Sequence, residues 1–312
     1  NIFIGRALKS GHIPLVMPHQ NLGIPLIGQY CHRVLSPYQM VENLFFPRGY
    51  NFFLLLRLFL AGVFSFLFIR PLCRRVESAL VTAVGYGLGG IMVIYSNHEE
   101  VVNVAMMLPL LMWSIRAFFD RPTAVRGAWL SLALAMVHTA GQPEIQLYVL
   151  FLALLYGLAR LFSLPAGRKK RPFIYCLGAI ILSALIAGPQ IILFLKFHQE
   201  AWTFHPPGGN LGLQSPTDIH KFLFAFFPKI RQTPWPWSYR TVNLIWDWVG
   251  SYFGFGLLIL AAATLRRHQR NRKEIYLFGL YYLFIVAKNL GWSPTQMIGL
   301  LPLFDQTWSP RW

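Results

Sequence analysis

Long apolar runs alternate with short polar segments along most of the chain. Eight runs are candidates for membrane-spanning helices, because most approach the roughly 20 apolar residues that cross a bilayer. They cover residues 52–69, 78–95, 101–119, 128–139, 145–162, 173–195, 251–265 and 275–288. The fourth is the shortest, and Gly188-Pro-Gln190 is expected to interrupt the sixth. The pattern predicts an all-α polytopic membrane protein with about eight transmembrane helices.

The polar segments divide the chain into five parts. These are a first outer loop (1–51), a six-span membrane core (52–195), a second long outer loop (196–250), two further spans (251–288) and an outer tail (289–312). Thr217 could cap a helix over residues 218–227, whose aromatic side chains suit the membrane–water interface. We expect interfacial helices in the long outer loops, and further chain, including spans, before Asn1 and after Trp312.

Composition and charge support a membrane protein. The chain is 55% hydrophobic and only 12% charged, whereas soluble domains carry roughly 25% charged residues. Its formal net charge of +17 does not indicate a nucleic-acid partner, because the bases lie in short clusters between apolar runs. Segments after the first, third, fifth and seventh runs hold many Lys and Arg and few acids, which predicts that they face the cytoplasm. Arg57, inside the first run, is expected to snorkel or to pair within the bundle.

Two polar clusters are predicted at the outer membrane face, and they carry the candidate chemistry. One is residues 96–100, and the other is the segment 138–146, here called the hinge. Ionisable groups at the ends of spans are functional candidates when they face a cavity. The candidates for general acid–base catalysis are Glu144, Glu100, Glu99 and His138. The alternative is that these are ordinary solvated loop ends. Because the two hairpins open on the same face, we expect a carboxylate of each cluster within roughly 10 Å of the other.

Binding residues are predicted in the same outer region. His98 with Glu100 is a candidate site for Mg²⁺ or Mn²⁺, ions that prefer carboxylate and, for Mn²⁺, imidazole ligands. Gln142 is a candidate substrate contact. Bases in the second loop and the tail are candidates for holding a phosphate, although such bases often only contact anionic lipid headgroups. They are Lys221, Lys229, Arg231, Arg240 and Arg311.

The order of these features resembles the GT-C superfamily of integral membrane glycosyltransferases, and within it the bacterial YfhO-like membrane protein family. Short motifs along nearly the whole chain carry the likeness: Gly11-His-Ile-Pro-Leu15, Gly23-Ile-Pro-Leu26, Asn97-His98, Leu108-Pro-Leu110, Ala140-Gly-Gln-Pro-Glu-Ile-Gln-Leu-Tyr148, Gly188-Pro-Gln190, Gly250-Ser-Tyr-Phe-Gly254, Leu257-Leu258, Leu301-Pro302 and Pro310-Arg311. The resemblance implies a polyprenyl-phosphate-linked sugar donor and transfer at the periplasmic or extracellular face of the bacterial inner membrane. Enzymes of this superfamily usually carry an essential acid early in the first outer loop, where this chain has only Glu42, late in the loop.

Three functions stay open at this point. The first is an outer-face glycosyltransferase. The second is a non-catalytic subunit or scaffold of a larger membrane complex that keeps the GT-C-like fold, with other membrane subunits as partners. The third is a lipid or solute transporter, against which the spans show no inverted repeat and no expected charge pairs near their centres.

Overall fold

The computed structural model describes residues 2–18, 23–200, 272–289 and 297–300. Ten α-helices lie in these ranges: α1 (Ile2–Lys9), α2 (Pro37–Phe45), α3 (Tyr50–Ile69), α4 (Val76–Gly87), α5 (Gly90–Ile94), α6 (Glu99–Asp120), α7 (Ala124–His138), α8 (Pro143–Phe162), α9 (Lys170–Glu200) and α10 (Arg272–Asn289). A two-residue hairpin pairs β1 (Val16–Met17) with β2 (Ile24–Pro25), and three 3-10 turns cover Tyr30–His32, Ala166–Arg168 and Met297–Leu300.

This is an all-helical membrane protein. Five described segments are long and apolar enough to cross a bilayer: α3, the α4–α5 segment, α6, α8 and α9. Each begins and ends within a few residues of a predicted run, except that α9 continues to Glu200. The fourth run forms the shorter α7, α10 covers the eighth, and the seventh lies outside the described residues. The full count of eight therefore stays a prediction.

The expected interruption of the sixth span is wrong. Pro189 lies inside α9, which continues from Lys170 to Glu200. A proline removes one hydrogen bond from a helix, and the remaining bonds of a long apolar helix are retained because lipid offers the backbone no other partner. The second run, in contrast, divides between Gly87 and Gly90 into α4 and α5. Three glycines within four positions weaken the helix there.

The described residues fall into two compact units. The first contains residues 2–18, 23–71 and 98–200, and the second contains 72–97, 272–289 and 297–300. In the first unit α6 is central, because it packs against α3, α7 and α8, while α7 also packs against α9. Met106, Leu111 and Phe118 of α6 are fully buried. α9 keeps large apolar side chains such as Leu185 exposed, as expected of a lipid-facing helix.

The helices of the first unit alternate in direction as a chain of membrane spans should. At one end, here the loop end, the amide of Gln142 donates to the carbonyl oxygen of Glu100 over 3.1 Å. At the other, here the turn end, Arg160 pairs with Asp120. The starts of α6 and α8 therefore lie together at the loop end, and their C-terminal ends lie together at the turn end. Which end faces outward remains a prediction from the charges.

The first loop is folded and partly helical. α2 begins at Pro37, a residue suited to a first helical turn, and packs against α1 and α3. Gly5 of α1 lies so close that an added Cβ would be 2.2 Å from the carbonyl oxygen of Asn43. Four buried apolar residues form the loop's own small core: Ile4, Leu26, Ile27 and Val34. The loop therefore packs as a body on the helices.

Candidate functional site

The first loop is fixed across the loop end of α9. Gln190 Nε2 donates a hydrogen bond to the carbonyl oxygen of Ile27. The rings of Tyr30 and Phe194 meet edge to face, with 4.7 Å between their centroids. Burial raises the pKa of the Tyr30 hydroxyl to about 12, so it stays protonated at neutral pH. These contacts place the turn that follows Tyr30 beside the start of α6 and the hinge.

Arg33 connects this turn to two adjacent carboxylates. Its Nη2 donates to Glu99 Oε2 over 2.5 Å and its Nη1 to Glu100 Oε2 over 3.3 Å. Its Nε donates to Gln39 Oε1 over 3.0 Å. Burial lowers the pKa of the Arg33 guanidinium, and Glu99 and Glu100 oppose that shift. The residue has φ 52° and ψ 32°, a left-handed conformation that is uncommon outside glycine, so the fold holds this side chain in a costly backbone position.

A second buried arginine lies in the membrane span α3. Arg57 is 1% exposed, forms an ion pair with Glu42 and donates from Nε to Asn103 Oδ1 over 2.8 Å. Its Nη2 also lies 3.5 Å from Glu99 Oε2. Of the two alternatives for Arg57, pairing within the bundle is confirmed, and the expectation that the spans lack buried charge pairs near their centres is wrong for α3. Arg57 follows the start of α3 by seven residues, or roughly 10 Å along the axis.

Glu42 is a buried acid of this site whose pKa is shifted. Its side chain is fully buried. Burial raises the pKa of the Glu42 carboxyl to about 7; Arg57 lowers it less than desolvation raises it, and Glu99 adds to the rise. Within the described residues, Glu42 Oε1 and Arg57 Nη1 have no hydrogen-bond partner.

We name these groups the loop–bundle cluster. It consists of Arg33, Gln39, Glu42, Arg57, Glu99, Glu100 and Asn103. Three carboxylates face two guanidiniums, so the cluster is neutral when one carboxylate is protonated. The buried Glu42 is the group whose pKa is raised towards that state.

The hinge meets the cluster through backbone contacts. Gly141 has φ 147°, and a Cβ there would lie 2.5 Å from the carbonyl oxygen of Glu100, so only glycine fits. The Gln142 amide donates to that carbonyl over 3.1 Å, and Gln146 Nε2 donates to the Gly141 carbonyl over 2.9 Å. The predicted convergence of the hinge with residues 96–100 is confirmed at the level of the backbone.

Comparison with protein-family models, curated proteins and solved structures finds no match for this chain.

The predicted acid–base residues differ in exposure. The Glu100 side chain is 25% exposed and lies 3.5 Å, Oε1 to Nδ1, from the largely exposed His98. The Glu99 side chain is 8% exposed and lies against both arginines. Glu144, His138 and Gln142 are half-buried around the hinge. Glu100 is therefore the acid of the cluster that combines solvent access with fixed partners.

The described residues do not assemble a metal site. In those ranges, no group of three or more His, Cys, Asp or Glu side chains lies close enough to hold an ion. Glu99 and Glu100 direct carboxylate oxygens to Arg33, a cation that competes with a metal for them. The assignment of Mg²⁺ or Mn²⁺ to His98 and Glu100 stays a prediction. The phosphate-binding candidates lie outside the described residues: Lys221, Lys229, Arg231, Arg240 and Arg311.

The sequence analysis did not identify Arg33, Gln39 and Asn103 as members of a polar cluster. It also did not predict the pairing of Glu42 with Arg57. One signal was available: an arginine inside an apolar span needs a buried acceptor. Gln39, Glu42 and Asn43 lie three and four positions apart on α2, and all three are fully buried. They form one polar helix face that faces Arg57. Arg33 had no such periodic signal.

Proposed function

We propose that this chain is an integral membrane glycosyltransferase of the GT-C kind. It transfers a sugar from a polyprenyl-phosphate-linked donor at the periplasmic or extracellular face of a bacterial inner membrane. The observation that best supports the proposal is the position of Glu100. Glu100 lies in the first turn of a membrane helix, where its partly exposed carboxylate pairs with Arg33 of the first loop and its backbone carbonyl accepts from the hinge.

The reaction assigns Glu100 the role of general base. The acceptor hydroxyl attacks C1 of the donor sugar, the new C1–O bond forms, and the bond from C1 to the lipid phosphate breaks. The bonding electron pair leaves with the phosphate, and the hydroxyl proton passes to Glu100. Arg33 and the exposed imidazole of His98 hold the Glu100 carboxylate in place. No step requires a metal.

The hinge would bind the sugar in this reaction. Gln142 presents an amide, Glu144 a second carboxylate and His138 an imidazole, and all three are half-buried in or beside the hinge, whose Gln142 backbone amide donates to the Glu100 carbonyl. Amide and carboxylate groups recognise sugar hydroxyls by hydrogen bonds. We assign the predicted bases Lys221, Arg231, Arg240 and Arg311 to the donor phosphate, which guanidinium groups bind in a bidentate manner.

Turnover of defined donors tests the proposal. The chain in nanodiscs is given a panel of polyprenyl-phosphate sugars, and release of polyprenyl phosphate is measured. Glu100→Gln should lower the rate about 100-fold or more, since it removes the proton acceptor. Glu77→Gln is the matched control, because Glu77 is an exposed acid in the first turn of another helix, α4. Equal rates for the chain and Glu100→Gln would contradict the assignment of Glu100.

A non-catalytic subunit is the second candidate, and Glu99 favours it. Glu99 and Glu100 are first-turn acids of α6, where carboxylates stabilise a helix N-terminus. Glu99 is buried and ion-paired with both Arg33 and Arg57, so part of the acid cluster serves packing. Absence of turnover across the panel, together with recovery of the chain in a stable complex with other membrane subunits, would favour this function.

A further inference from the structure

At the turn end of the first unit, four consecutive bases lie where the α8–α9 connection leads into α9. They are Arg168, Lys169, Lys170 and Arg171, here called the basic turn. No Asp or Glu occurs between Glu144 and Glu200 in the sequence. In the described part of the chain, none of the four forms an ion pair. Among the described residues, their positive charge therefore has no ion-paired counter-charge.

Asp120, an acid at the same end of the unit, already has basic partners. Asp120, at the end of α6, pairs through Oδ1 with Arg160 of α8 and lies 3.7 Å, through Oδ2, from Arg116 Nε. Because both carboxylate oxygens have basic partners, Asp120 does not neutralise the basic turn. Two of the bases, Lys170 and Arg171, also lie in the first turn of α9, where the helix dipole adds positive potential.

A cavity lies among these bases. Its volume is about 290 Å³, and its lining consists of Gly167, Arg168, Lys170, Arg171, Ile174 and Tyr175. The Arg171 guanidinium lies over the Tyr175 ring, 5.3 Å from its centroid, and Nη2 donates to the Tyr175 hydroxyl over 3.4 Å. Lys169 instead lies over the Phe162 ring, 5.5 Å from its centroid. The aromatic contacts thus keep Arg171 at the cavity and hold Lys169 to one side.

Apolar side chains continue from the cavity along the same face of α9. Ile174, Leu177 and Ile181 follow Lys170 at helical spacing and are 52%, 48% and 53% exposed. Gly178 leaves a gap beside them, since an added Cβ would meet no atom within 4 Å. A phospholipid whose phosphate lies at the bases would therefore have its acyl chains alongside an exposed apolar stripe.

We propose that the basic turn binds the phosphate of an anionic glycerophospholipid, whose acyl chains pack along α9. Arg168, Lys170 and Arg171 contact the phosphate oxygens, and the Tyr175 hydroxyl, which accepts from Arg171, donates to the same group. A free phosphate would satisfy the bases equally well, but it would leave the apolar stripe without a ligand. Basic pockets beside membrane helices commonly bind lipid headgroups in this way.

Lipid retention tests the site without any assay of turnover. The chain is extracted from nanodiscs of mixed phosphatidylglycerol and phosphatidylcholine into mild detergent, and the retained lipids are quantified by mass spectrometry. We expect selective retention of phosphatidylglycerol. The double variant Lys170→Gln, Arg171→Gln should lower it about fivefold for each base removed. The charge-conserving pair Lys170→Arg, Arg171→Lys should retain it, which shows that a loss is not caused by misfolding.

Two controls separate the site from general surface charge and from free phosphate. Arg74→Gln with Arg75→Gln removes two exposed bases from another connection between spans, and retention should change about twofold or less. Equal losses in the two double variants would overturn the proposal in favour of diffuse attraction. Displacement of all retained lipid by excess inorganic phosphate would overturn the lipid assignment in favour of a free anion.

Discussion

The two ends of the first unit use the same basic residues in opposite ways. At the loop end, Arg33 and Arg57 are buried, and three carboxylates from α2 and α6 face them. At the turn end, the three bases Arg168, Lys170 and Arg171 are exposed. No Asp or Glu follows them in the sequence before Glu200, the last residue of α9. A buried guanidinium requires a carboxylate, whereas an exposed one does not. The loop-end arginines therefore belong to the fold, and the turn-end bases remain available to a ligand.

Removing one arginine from each end should give the largest contrast. Arg57→Met leaves Glu42 and Glu99 buried without that cation, and it should cost about 3–5 kcal/mol of stability. Arg171→Met removes an exposed base and should change stability by about 0.5 kcal/mol or less. Thermal unfolding of both variants in the same detergent measures the difference. Similar midpoints would mean that the loop–bundle cluster is not buried in solution.

Glycine substitutions should also cost more stability at the loop end than near the basic turn. Gly141→Ala places a Cβ against the Glu100 backbone in a left-handed conformation, and it should cost about 2–4 kcal/mol. Gly178→Ala, in α9 near the basic turn, meets no atom within 4 Å and should be neutral or slightly stabilising. Proteolysis within the hinge would increase only in the first variant. If Gly141→Ala is as stable as Gly178→Ala, the hinge does not pack on α6.

The stability of the loop end should depend on pH. This effect should be smaller than that of Arg57→Met or Gly141→Ala. The folded pKa of Glu42 is raised from 4.5 to about 7, so its protonated form stabilises the docked loop. That contribution is fully present below pH 4.5 and is lost as the pH rises through about 7. Arg33, Arg57 and Glu99 face the same group, and Tyr38 contributes to its surroundings.

Hydrogen exchange of α2 at pH 5 and pH 8 measures this dependence. Protection should fall at pH 8 in the chain, and the fall should be smaller in Glu42→Gln, which cannot ionise. The difference between the two isolates Glu42 from His32, whose pKa is lowered by burial and by Arg33 and whose protonation acts in the opposite direction. An equal fall in both would assign the pH dependence to another group.

Much of the helical frame could be predicted from the sequence. Apolar runs of span length mark α3, α6, α8 and α9 because lipid-facing and buried surfaces of such helices are both apolar. The pairing of the Glu100 region with the hinge also followed, since consecutive hairpins open on one face. Pro189 was misjudged because a proline in a long membrane helix is tolerated.

The loop–bundle cluster could not be predicted by the same method. Periodicity assumes that the buried face of a helix is apolar, but α2 buries Gln39, Glu42 and Asn43. This face is polar because it supplies hydrogen-bond and ion-pair partners to Arg57, a charged residue within the span α3. Arg33 lies in a short turn, where nothing in a single sequence indicates which distant carboxylates it meets.

The short α7 has a consequence for the bilayer itself. Its 15 residues extend roughly 22 Å, whereas the hydrocarbon core of a bilayer is roughly 30 Å thick. Val125, Trp129 and Leu132 form one exposed apolar stripe along it, which is suited to contact with lipid. The resulting hydrophobic mismatch is relieved when the neighbouring leaflets thin. Such thinning would bring headgroups closer to the hinge that follows α7, and membrane elasticity would then help to present the lipid-linked donor of the proposed function there.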